Sequence, residues 1–167
     1  MKRRLHIALA LALLAGGWLG WKKLFPGDEV LIGRLLDDVA RTASFGGQQS
    51  PLARAAGAAD LAACFTTNAL IQVDSTGWGL SAVRGRAAIQ QLALAARQQP
   101  GGLTVRFGEI GIAVKDKLTA DVRLVATARG GALPEPFHRE LRLTLRKTGG
   151  QWLVEKVEAE AVLQRVD

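Results

Sequence analysis

The sequence predicts an α+β fold: three N-terminal helices packed in a strongly bent antiparallel sheet, preceded by one transmembrane helix. Three observations predict it. An uncharged run lies between two basic clusters near the start, apolar residues then recur at helical spacing, and the last third alternates apolar with polar residues. The expected division is residues 1–25 as a membrane anchor or signal peptide and 26–167 as one domain. A chain of 167 residues, 49% apolar and 22% charged, suits a single globular core.

Leu5–Trp21 carries no formal charge, follows Lys2-Arg3-Arg4 and precedes Lys22-Lys23. As a helix it spans about 25 Å, against about 30 Å for a hydrocarbon core. Snorkelling lysines would let Leu24 and Phe25 extend the apolar length, and Trp18, Trp21 and His6 take interfacial positions. The alternative is a cleaved signal peptide with its small-residue site near Ala15-Gly16-Gly17. The basic flank favours an inside amino terminus. The expectation is therefore a single-pass inner or plasma membrane protein with its C-terminal domain outside the cytoplasm, or a secreted or periplasmic domain after cleavage.

After Phe25-Pro26-Gly27, Asp28 can cap a helix to about Ser44, with Val30, Leu31, Leu35, Val39 and Ala43 as its apolar stripe. Ser50-Pro51 is an N-cap and N1 pair opening an Ala-rich helix to about Phe65. There Leu52, Ala55, Ala59, Ala62 and Ala63 would face a neighbour, and Cys64 would be a small core residue. A short strand Ala69–Asp74, a Gly-rich loop around Trp78, the segment Ala82–Gly85 and a helix Arg86–Gln98 follow. The strands of the meander are then Leu103–Val114, Leu118–Arg129, Phe137–Lys147 and Gln151 to about Val162.

Within the meander, Ala120, Val122, Leu124 and Ala126 share one parity, as do Phe137, Leu141, Leu143 and Leu145, which makes these the core faces. Val105 and Phe107 lie on one parity but Ile110, Ile112 and Val114 on the other. A bulge near Gly108-Glu109 would keep both sets inward and bend the sheet. With Ala126 opposite Phe137, Arg123 would face Glu140 and Asp121 would face Arg142 on the outer surface.

The formal net charge is +7, but Lys2, Arg3, Arg4, Lys22 and Lys23 supply most of it. From Leu24 onward 17 Lys and Arg stand against 15 Asp and Glu, so no nucleic-acid partner is expected. One cysteine and two histidines argue against a disulfide framework and a metal centre. No phosphate loop, dinucleotide fingerprint or nucleophile elbow occurs, so no cofactor is expected.

The run Cys64–Asp74, then Val83-Arg84-Gly85-Arg86-Ala87-Ala88-Ile89, and later Arg146-Lys147-Thr148-Gly149-Gly150-Gln151-Trp152, resembles the nuclear transport factor 2-like superfamily. That superfamily includes the polyketide-cyclase-like and ketosteroid-isomerase-like proteins. The resemblance covers about Asp28–Val162 and implies a cone whose curved sheet wraps the helices, often with a pocket at the open end. Fold alone does not choose among the enzymes, ligand binders and interaction modules built on it.

In the isomerase branch a general-base aspartate ends the strand after the second helix. The ungapped match falls on Val73, with Asp74 one place later and on the opposite face. The oxyanion hole of that branch uses a tyrosine and a protonated aspartate. This chain has no tyrosine, and its inward β positions carry leucines. His138 stands on the polar parity of its strand, as does the Asp121 and Arg123 pair that resembles, in reversed order, the epoxide-hydrolase motif. Arg139 shares the inward parity of Leu141 and must reach solvent or a partner.

Two functions follow as expectations. The preferred one is a noncatalytic, membrane-tethered, extracytoplasmic domain binding a small apolar ligand or a protein partner, with Val73, Asp74, Trp78, Phe107, Leu124, Arg139 and Leu143 as pocket residues. A homodimer is compatible with it. The alternative is a small-molecule isomerase, dehydratase or hydrolase using Asp74 and Arg139.

Overall fold

The computed structural model describes residues 26–72, 82–130 and 136–159. The element order is α1 (Asp28–Ala43), α2 (Pro51–Ala63), β1 (Phe65–Gln72), β2 (Val83–Arg84), α3 (Arg86–Gln98), β3 (Thr104–Val114), β4 (Thr119–Arg129), β5 (Phe137–Thr148) and β6 (Gln151–Ala159). The strands form one curled sheet in the order β2-β1-β6-β5-β4-β3. Ile32, Leu35, Leu36 and Val39 of α1 and Ile89 of α3 meet its inner face in a single core.

Two features of the expected fold class are corrected. The three helices are not all N-terminal, because α3 follows β1 and β2. Nor is the sheet wholly antiparallel, since β1 runs parallel to β6, with Ile71 opposite Val157. That pairing joins segments from opposite ends of the domain, and local alternation carries no information about so distant a partner.

The single-pass membrane localisation is not supported. Among the described residues no helix is long and apolar enough to cross a membrane. The three helices have 16, 13 and 13 residues, short of the roughly 20 apolar residues a span requires. The segment Leu5–Trp21, with His6, lies outside the described residues.

Helix α1 is capped one residue before its expected cap. Gly27 is the N-cap and Asp28 the first helical residue, with no side-chain cap. Its buried face is Ile32, Leu35, Leu36 and Val39, whereas Val30 is 50% exposed. In α2, Ser50 Oγ accepts a hydrogen bond from Ala53 N at 3.2 Å, as Ser-Pro predicts. The buried residues of α2 are Ala58 and Ala62, and Leu52 is 80% exposed. Small side chains there let α2 lie against α3, and no deep apolar stripe is needed. Cys64 caps α2, half-buried at the edge of the core.

The bulge in β3 lies where the parity change requires it. Gly108 pairs with Val125 and Gly111 with Arg123, so Glu109 and Ile110 together face Leu124. Glu109 adopts φ 51, the left-handed conformation. Phe107 therefore opposes Ala126 and Ile112 opposes Val122, both on the inner face.

The expected β4–β5 register is off by two residues. Ala128, not Ala126, faces Phe137, so Arg123 faces Arg142 and Asp121 faces Thr144. Asp121 pairs instead with Lys115 Nζ at 3.4 Å. Face assignment survives because the error is even, and Asp121 and Arg123 remain outside.

Candidate functional site

The inner face of the sheet is a ladder of rows. At the base, Val114, Ala120, Leu145 and Val154 stand side by side, followed by Ile112, Val122, Leu143 and Val157. Leu124, Leu141 and Ala159 form the third row, and Phe107, Ala126 and Arg139 the fourth.

Packing loosens along β5 from Leu145 and Leu143 to Leu141 and Arg139, while at the β3 edge Val114 of the base row is 37% exposed. Leu143 is 3% exposed and Leu124 is 2% exposed, so both fill the cone. Phe107 and Leu141 are only partly buried against the core, and Arg139 is half-buried. The fourth row thus sets an aromatic ring and a guanidinium on either side of the small Ala126. At a strand spacing of about 4.8 Å, their Cα atoms lie on the order of 10 Å apart.

The strand directions bring Gln72, Val83, Gly130, Pro136 and Ala159 to the same end of the sheet as this row. Partly buried Ile71 and Val83 extend the second row beyond Val157 across β1 and β2. Of the expected pocket residues, Phe107 and Arg139 share the fourth row, on either side of Ala126, while Leu124 and Leu143 lie deeper as diagonal neighbours. Val73, Asp74 and Trp78 lie outside the described residues, so the proposed Asp74 and Arg139 pair rests on Arg139 alone. Arg139 itself is engaged in an interaction.

His138 stands on the outer face, where its Nδ1 lies 3.2 Å from Thr127 Oγ1. Around it a groove of about 500 Å³ crosses β3, β4 and β5, bordered by Arg106, Arg129 and Thr127. Sequence reading gave no weight to these two arginines. Their signal is their position on the same strand parity as His138 and Thr127, which becomes informative only once the register is known.

Arg97 was also missed. It is 4% exposed and donates from Nη2 to Thr42 O and, at 3.1 Å, to Gly57 O, with its guanidinium carbon 5.1 Å from the Phe45 ring centre. Burial pushes its pKa down, with Asp60 acting in the opposite direction. The spacing Ile89, Ala93, Arg97 places it on the buried stripe of α3, a signal present in the sequence. It lies beside the α2 and α3 contact and ties helices together.

No family model matches the sequence, and no curated protein matches it. Solved structures do. A nuclear transport factor 2-like protein with a cystatin-like fold from Novosphingobium aromaticivorans superposes with a TM-score of 0.60 at 18% identity, covering 96% of this chain and 90% of that one. A ketosteroid isomerase-like protein from Erwinia carotovora atroseptica gives 0.54 at 15% identity, over 81% and 96%. A nuclear transport factor 2-like protein of unknown function from Pseudomonas putida gives 0.56 at 11% identity, over 77% and 82%. At such identities the likeness concerns the fold. The chain has the nuclear transport factor 2-like, cystatin-like α+β cone.

Proposed function

We propose that this chain is a noncatalytic domain that binds a small apolar ligand at the mouth of the cone, with Arg139 receiving an anionic group where the ligand has one. The observation carrying this reading is the gradient along the inner face. Along β5 the inward side chains pass from the buried Leu145 and Leu143 to the partly buried Leu141 and Arg139, and Phe107 stands partly buried across the small, buried Ala126. Apolar contact with one convergent charge is the usual chemistry of a small-molecule site. The similarity to a ketosteroid isomerase-like protein keeps an isomerase as the competing reading. That reading needs an acid or base beside Arg139.

The test compares two probes on the full chain. Nile red, neutral and apolar, and dodecanoate, apolar and anionic, are both expected to bind saturably. Arg139→Ala should weaken dodecanoate at least fivefold, leave Nile red within twofold and change the melting temperature little. Phe107→Ala should weaken both probes. Absence of saturable binding of either probe would contradict the proposal.

A further inference from the structure

We propose that the groove on the outer face of the sheet is a second binding site, specific for a small organic anion bearing a carboxylate or phosphate. It lies on the opposite surface from the cone mouth and does not depend on that reading.

The register builds the site. Arg106, Thr127 and His138 form one row across β3, β4 and β5, and Thr104 and Arg129 form the next. Two guanidiniums thus stand diagonally on adjacent strands, about 7–8 Å apart at Cα, close enough for long side chains to converge on one anion. The contact between His138 Nδ1 and Thr127 Oγ1 leaves Nε2 as the remaining polar atom of the ring.

Several charges elsewhere on this surface are matched. Arg146 bonds Glu155 at 2.7 Å, Lys156 bonds Glu158 at 2.7 Å, and Lys115 lies 3.4 Å from Asp121. Arg123 and Arg142 are engaged as well. Among the described residues, no hydrogen bond or ion pair occupies Arg106 or Arg129. Among the described residues, the rows holding Arg106 and Arg129 carry no carboxylate, and Glu140 stands in the next row, opposite Val125.

The floor accommodates an organic body. Val125 is buried although it points outward, and Gly108 opposite it contributes no side chain. A methyl placed on Gly108 would meet nothing within 4 Å, so this part of the groove is open. Glu109, at the bulge, supplies negative charge at the far end. The polarity is therefore set: the anionic group lies toward Arg106 and Arg129, and the body lies over Val125 and Gly108.

The test is titration of the full 15N-labelled chain with phenyl phosphate and, separately, benzoate, followed by amide shifts. Saturable shifts confined to Arg106, Gly108, Val125, Thr127 and His138 are expected. Tighter phenyl phosphate binding would identify phosphate as the preferred group, and tighter benzoate binding a carboxylate. The double substitution Arg106→Gln with Arg129→Gln should weaken the better probe at least tenfold, whereas Arg139→Ala should leave it unchanged. Arg106→Lys, which keeps the charge but loses the fork, should fall between. Three results would overturn the proposal: affinity within twofold in the double variant, shifts centred on Arg139, or perturbation of the same amides by protein concentration alone, which would mean that a second copy covers the face.

Discussion

Asp28 Oδ1 accepts a hydrogen bond from Lys147 Nζ at 2.6 Å, and the same oxygen accepts one from Trp152 Nε1 at 3.0 Å. The first residue of α1 is thereby fixed to both strands of the β5–β6 hairpin, while Lys147 Nζ lies 5.5 Å from the Trp152 ring centre. The two donors, Lys147 first and then the indole, hold the Asp28 carboxyl below its ordinary value of 3.8.

A depressed carboxylate pKa contributes stability that is complete above the unfolded value and is lost as pH falls through the folded one. Asp28→Asn should therefore destabilise the chain by about 1 kcal/mol at pH 7, a modest figure because both charges are partly solvated. The difference should shrink below about pH 4. Urea unfolding of both proteins at pH 7 and pH 3 checks this, and an equal difference at both values would count against it.

Gly57 and Arg97 make the second prediction. Replacing glycine by alanine inside a helix ordinarily stabilises by about 1 kcal/mol. Here the new Cβ would stand 2.8 Å from both Nε and Nη2 of Arg97, a guanidinium held by Thr42 O and Gly57 O. The collision should win, and Gly57→Ala should destabilise by about 1–2 kcal/mol. Arg97→Ala should cost about 3 kcal/mol. In that background Gly57→Ala should become stabilising, a sign reversal that a double-mutant cycle reads directly.

The packing gradient of the cone sets up the third. Leu143→Ala removes a side chain that is 3% exposed and should cost about 3 kcal/mol. Leu141→Ala, one row nearer the mouth, should cost less than about 1.5 kcal/mol, because its site already reaches solvent. Equal losses in chemical denaturation would mean that the two rows are packed alike.

Glu109 carries the fourth. Its left-handed φ costs about 1 kcal/mol for a residue with a Cβ, and glycine escapes that cost. Because the side chain is exposed, Glu109→Gly should raise stability by about 0.5–1 kcal/mol in thermal melts. A loss of stability would show that the carboxylate makes a stabilising contact.

The parts of this fold legible in the sequence are those decided by local chemistry. Alternation located β3 to β6, the parity break located a bulge near Gly108-Glu109, one residue from the observed Glu109 and Ile110, and Ser50-Pro51 located the start of α2. Face assignment needs only parity, so Leu124, Leu143 and Arg139 were placed inward correctly despite a two-residue error in register. What could not be read depends on distant partners. The parallel pairing of β1 with β6 and the attachment of Asp28 to Lys147 and Trp152 are set by tertiary closure, whereas the opposition of Arg123 and Arg142 follows from the β4–β5 register, which the connection between the strands fixes.

Of the candidate site, the inward facing of Phe107 and Arg139 was legible because both fall on core parity near strand ends. Arg97 lay in view on the apolar stripe of α3, but a charged residue on such a stripe is readable as buried only when its acceptors are known, and these are backbone carbonyls of α1 and α2. The outer groove required three strands in register before Arg106, Thr127 and His138 became neighbours.

The proposed choice of a binding cone over an isomerase is tested most directly by the position of Asp74 relative to Arg139 in a crystal structure of the full chain. The expected result is an Asp74 carboxylate that faces solvent and makes no hydrogen bond to Arg139. A carboxylate inside the mouth, within about 3.2 Å of the Arg139 guanidinium or of a bound ligand, would supply the missing base and contradict it.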